Sequence, residues 1–212
     1  MRTLFLAING IRFRPGNAHG WPERFCDYIN FRTPDGVVAD RREYYTSALT
    51  RFIGQRKRTD ELARKVSRAN QSGYRVVLVG HSNGCDIIAR LLRDVGAAVA
   101  SCHLFAPAAQ EEDFEDAITN NVVKRIHIYG SLNDEALQFA TITRVLCGWA
   151  GLGYGSLGLR GGEFAAKHHG RVSDHSNHSY GHSTWFTEGP IFEKTMRMIV
   201  DNDIKDQKLS LP

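Results

Sequence analysis

The stretch LVGHSNGCDIIARLL, Leu78 to Leu92, passes through three patterns in fifteen residues. It opens inside an apolar run (VVLVG, Val76 to Gly80), crosses Gly80-His81-Ser82-Asn83-Gly84, and continues with Ile87, Ile88, Leu91, Leu92 and Val95 at helical spacing up to Gly96. A continuous apolar run of that length suits a strand buried on both faces, and the stripe behind it suits an amphipathic helix. The turn between them reads G-x-S-x-G, a pattern that carries chemical meaning only between a strand and a helix, and that context is present. A serine on so sharp a turn takes strained backbone geometry, and the two glycines let strand and helix close around it. The helix start then brings free N–H groups and the positive end of its dipole beside the hydroxyl.

Three more runs have the strand pattern: LFLAI (Leu4 to Ile8), CHLFA (Cys102 to Ala106) and RIHIY (Arg125 to Tyr129). Helical patterns lie between and after them. Leu62, Val66 and Ala69 share a face ahead of a capping Gly73, and Phe192, Met196, Ile199 and Val200 share one behind Gly189-Pro190. Strands alternating with helices predict an α/β sheet with right-handed crossovers. Residues 12–40 and 147–166 escape both periods and read as long loops, the first with a helical turn around Trp21 to Tyr28. Loops of that length in a compact domain suit the walls or lid of a site. A chain of 212 residues fits one domain, 1–212.

Composition narrows the function classes. The 27 basic residues nearly balance the 23 acidic ones, so no nucleic-acid partner is implied. The run Gln55-Arg56-Lys57-Arg58 reads as a solvated helix start. Four cysteines without a CxxC pair point to packing thiols in a reducing compartment, and Cys85 is expected to pack beneath the turn. With neither a signal-peptide pattern nor a long apolar span, the expectation is a cytoplasmic protein without stable membrane insertion.

Strand, G-x-S-x-G and helix together resemble the α/β-hydrolase superfamily, whose serine members carry the nucleophile at this elbow and order the triad serine, acid, histidine. The resemblance implies a reduced α/β-hydrolase fold, a mostly parallel sheet of five or six strands flanked by helices. LFLAI then corresponds to the third strand of larger relatives. It implies Ser82 as nucleophile, Asp134 after RIHIY as the acid, and His182 in SYGHSTWF as the base. Asp174 is the rival acid, and His168, His169, His175 and His178 crowd the same region. The oxyanion hole falls to the N–H of Asn83 and to the turn Asn9-Gly10-Ile11, with Ile11 as second donor, Gly10 in the turn and Asn9 where the family usually has histidine.

The implied activity is hydrolysis of a carboxylic ester, with a thioester or amide behind it, through an acyl-enzyme and without cofactor or metal. The partner is then a small-molecule acyl ester, and Trp149, Leu152 and Tyr154 in the glycine-rich stretch are the substrate-binding candidates. The oligomeric state is not legible. Two other readings stay open. His175, His178 and His182, spaced three and four apart, could make the 168–182 histidine cluster a metal-dependent hydrolase site. The fold could equally carry a non-catalytic binding protein.

Overall fold

The computed structural model describes residues 2–10, 20–33, 35–42, 55–139, 142 and 155–209. Six strands form one sheet: β1 (Arg2–Ile8), β2 (Val37–Arg42), β3 (Tyr74–His81), β4 (Val99–Phe105), β5 (Val123–Tyr129) and β6 (Val172–Asp174). Their order is β2-β1-β3-β4-β5-β6, and each neighbouring pair is parallel. The helices are α1 (Trp21–Arg32), α2 (Gln55–Gln71), α3 (Asn83–Arg90), α4 (Glu112–Thr119), α5 (Leu157–Lys167) and α6 (Pro190–Leu209). A π-helical turn, Leu91–Val95, prolongs α3 and ends at Gly96, whose φ is +64°.

The four central strands are the four apolar runs, because side chains on both faces must be buried. On one face Leu6, Ile8, Val76, Leu78, Cys102, Leu104, Ile126 and Ile128 pack with residues of α2 to α5. On the other, Phe5, Ala7, Val77, Val79, Phe105 and Tyr129 pack with residues of α1 and α6. Both clusters draw alternate residues of the same strands, as a period of two requires. The chain runs from β1 outward to β2 and then back across to β3. The crevice at the carboxyl ends of β1 and β3 is therefore a topological switch point, where open α/β sheets bind ligands. Asn9-Gly10 and Ser82 sit there.

Two expectations need correction. Residues 12–40 are not one long loop, since α1 runs well past Tyr28 and β2 begins at Val37. Trp21, Phe25, Cys26 and Ile29 lie on one buried face, and Pro22 stands in the first turn, where its missing N–H costs nothing. β2 and β6 were not legible as strands because both are sheet edges: VVADRR turns charged after two valines, and VSD is three residues long. Within 147–166, the part from Leu157 onward is helix. Its glycines serve close approach. A β-carbon on Gly161 would lie 2.6 Å from Ile128 Cγ2, and one on Gly158 would lie 2.4 Å from Leu137 Cδ1.

Candidate active site

β3 ends at His81, and Ser82 turns the chain into α3 with φ +54° and ψ −123°. A non-glycine residue there is strained, and the strain persists because neighbours hold it. The Ser82 N–H donates to the Phe105 carbonyl at the end of β4 (2.9 Å), and the Cys85 N–H donates back to the Ser82 carbonyl (3.0 Å). Gly84 cannot carry a side chain, since a β-carbon would stand 2.4 Å from the Ile8 carbonyl oxygen. Gly80 is nearly as tight, with Ile88 Cδ1 2.7 Å from the same construction. Cys85 is buried beneath the turn with Sγ 3.7 Å from the Phe105 carbonyl oxygen, and burial drives its thiol pKa well up. It packs as an inert thiol, as its place in the sequence suggests.

The residue after β1 supplies the opposite wall. Asn9 is buried, and its Oδ1 accepts from the Gly10 N–H (2.9 Å) and from Trp21 Nε1 (3.1 Å). Asn9 thus braces the turn at the position where the resemblance expects a histidine. The same bond engages the Gly10 N–H within the turn. Gly10 also contributes space: a β-carbon there would lie 3.0 Å from Ser82 Cβ. The Asn83 N–H opens α3, where first-turn N–H groups have no intrahelical acceptor. Ile11 lies outside the described residues, as do Trp149, Leu152 and Tyr154.

Asp134 and His182 meet. His182 Nδ1 is 2.8 Å from Asp134 Oδ2, and the carboxylate is only 1% exposed. Its other oxygen accepts from the Leu137 N–H (3.0 Å), so the acid also caps the helical residues 135–139. Contacts between the two loops hold the pair. The Leu132 N–H donates to His178 Nδ1 (3.3 Å), and the Asn133 amide donates to the His178 carbonyl. Behind His182 the chain tightens into a 3-10 turn, Thr184–Phe186, whose Trp185 and Phe186 are buried. The half-buried Ser82 makes no hydrogen bond to the His182 ring among the described residues. Such contacts commonly tighten only when substrate is bound.

The rivals part company. Asp174 is exposed at the end of β6, and its Oδ1 accepts from the Ser176 N–H (3.0 Å) and hydroxyl (2.5 Å). His175 Nε2 faces His127 Nδ1 (3.1 Å), while His168 lies by Glu115 (3.9 Å) and His169 is exposed. His175, His178 and His182 therefore turn to three different partners. Among the described residues, no group of three or more His, Cys, Asp or Glu side chains is arranged to hold a metal ion.

A second polar cluster escaped the sequence reading. His103 and His127 pair in register across β4 and β5 with rings stacked at 4.6 Å, inside runs that read as apolar. His103 Nδ1 meets the Tyr129 hydroxyl (2.9 Å), which accepts from Asn202 (3.0 Å), and His127 Nε2 meets Asp206 (2.9 Å). These bonds anchor α6 to the sheet. The available signal was the pair of polar residues at alternate strand positions, matched by Asn202 and Asp206 one helical turn apart.

A family model described as "Serine hydrolase" matches residues 50–147, a segment that holds Ser82 and Asp134 and stops before His182. A search of the curated proteins finds no match. Among solved structures, the chain is similar to an uncharacterized protein from Bacillus cereus (TM-score 0.65, 11% identity), covering 97% of this chain and 60% of that one. It is similar to a predicted CIB-like hydrolase from Thermoplasma acidophilum (TM-score 0.58, 14% identity, 94% of this chain and 85% of that one). A third is esterase B from Lactobacillus rhamnosis, whose structure concerns a tributyrin phosphonate inhibitor (TM-score 0.56, 13% identity, 98% of this chain and 77% of that one). Likeness at these identities speaks to the fold. No described helix is long and apolar enough to cross a membrane.

Proposed function

The chain has the α/β-hydrolase fold, and on that premise we propose that it is a serine hydrolase acting on a carboxylic ester. The observation that carries the reading is the 2.8 Å contact of His182 Nδ1 with the buried Asp134 carboxylate, beside a serine at +54° φ. A carboxylate only accepts, so Nδ1 bears the proton and Nε2 of the neutral ring keeps its lone pair. Nε2 is thus the atom that takes the Ser82 proton as Oγ bonds to the acyl carbon. The imidazolium formed is stabilised by Asp134 and returns the proton to the leaving alkoxide. Water, deprotonated by the same nitrogen, then attacks the acyl-Ser82 and releases acid and free serine. The Asn83 N–H receives the oxyanion at the helix start, a contribution of about 3 to 4 kcal/mol per donor in comparable sites. Ile11, outside the described residues, remains the second donor in this reading.

A small acyl ester is the substrate class. Leu132, Phe139 and Ile142, exposed on the segment that carries Asp134, offer apolar surface for an acyl group. Turnover of short-chain p-nitrophenyl esters, compared with matched thioesters and anilides, tests the reading. We expect ester hydrolysis that survives a chelator. Hydrolysis abolished by chelator and restored by a divalent metal would point to the metal-dependent alternative, and no turnover of any substrate to the binding protein.

A further inference from the structure

His81 stands between the elbow and the loop that carries His182. It is the last residue of β3, precedes Ser82, and is buried. Its Nε2 lies 2.9 Å from the backbone carbonyl oxygen of His182. A carbonyl oxygen only accepts, so Nε2 bears the ring proton. Burial first, then the neighbouring His182, lowers the His81 pKa to about 3, so the ring stays neutral throughout the range in which an imidazole serves as a base. Aromatic neighbours fix its plane. Trp21 and Phe186 meet it edge-on at 6.5 and 5.4 Å, and Phe186 stacks on Trp21 at 4.1 Å. The ring therefore cannot turn away without opening that packing.

The Asp134 contact orients the His182 ring but leaves open where the residue's backbone sits relative to Ser82. A second fixed point on that backbone, given by the nucleophile's own neighbour, sets the separation of base and hydroxyl. We propose that His81 is a positioning residue, whose Nε2–H bond to the His182 carbonyl holds the base in register with Ser82. This rests on Ser82 and His182 being nucleophile and base.

The test uses the full chain, with fluorophosphonate labelling rates and p-nitrophenyl ester kinetics. His81→Phe keeps the ring and its aromatic contacts but has no donor, whereas His81→Gln keeps an amide donor. His81→Phe should slow labelling and kcat on the order of tenfold to a hundredfold with KM nearly unchanged, and His81→Gln should recover most of the loss. Equal rates in wild type and His81→Phe overturn the inference alone. A wild type that is not labelled at all overturns the catalytic reading and the inference with it. Nitrogen-15 NMR of the wild-type histidines gives a result independent of any variant's folding. His81 should be the Nε2–H tautomer in its neutral form, and a neutral Nδ1–H tautomer, which leaves Nε2 without a proton to donate, overturns the inference.

Discussion

Asp134 does two things with one carboxylate: Oδ2 faces His182 and Oδ1 caps the helical residues 135–139. Asp134→Asn preserves the shape but offers the imidazole a different tautomer, and such a change costs about 10⁴-fold in kcat where the triad operates. Asp174→Asn, at an exposed carboxylate bonded to Ser176, should leave ester hydrolysis within about twofold of wild type, as surface changes away from a site usually do. Steady-state kinetics of the two variants separate the acids directly. That Asp134 and not Asp174 would lie against His182 was legible, because Asp134 follows a long apolar run and Asp174 does not. His81 was not legible, since a histidine inside G-x-S-x-G is silent about which carbonyl it will meet. Nor was the engaged Gly10 N–H, which depends on the Asn9 side chain folding back onto its own turn.

At the scale of elements, close approach explains glycines that sequence pattern alone assigned to a long loop. Gly161→Ala, with Ile128 in the way, should destabilise by about 1 to 3 kcal/mol, the usual cost of overpacking, as measured by urea unfolding. The last helix depends on a different kind of contact. Arg75 meets Asp203 with both side chains at least nine-tenths buried, so Asp203→Ala would strand a buried guanidinium and cost about 3 to 5 kcal/mol in the same measurement. Central strands announce themselves because burial on both faces demands mostly apolar residues, with polar exceptions such as His103 and His127 satisfied by partners. Edge strands such as VVADRR and VSD have fewer neighbours to satisfy, so their sequences carry less of the signal.

Over the whole molecule, histidines that full or partial burial keeps neutral tie stability to pH. Burial, reinforced by His127, lowers His175 to about 4; the same two causes push His103 well below its ordinary value, and His81 sits at about 3. In the unfolded chain all three bind protons as pH falls through about 6.5, whereas in the folded chain they do not until far lower. Their contribution is therefore fully present above that pH and is lost as pH falls toward 4. The slope reaches about 1.4 kcal/mol per pH unit for each histidine that stays neutral. Urea midpoints followed from pH 7.5 down to 4.5 should decline, with His103→Phe flattening the decline; a pH-independent midpoint would refute this coupling. The topology that creates this interior is also what gathers the site. Turn, elbow, acid loop and histidine loop all leave the carboxyl ends of parallel strands or follow from them, and they meet on one edge of the sheet.

The central claim is that Ser82 Oγ is the nucleophile that becomes acylated, and peptide mapping by mass spectrometry after fluorophosphonate treatment tests it most directly. A single phosphonyl adduct on Ser82, lost in Ser82→Ala and formed far more slowly in Asp134→Asn, is the predicted result. An adduct elsewhere, or equal labelling of wild type and Ser82→Ala, would contradict the account.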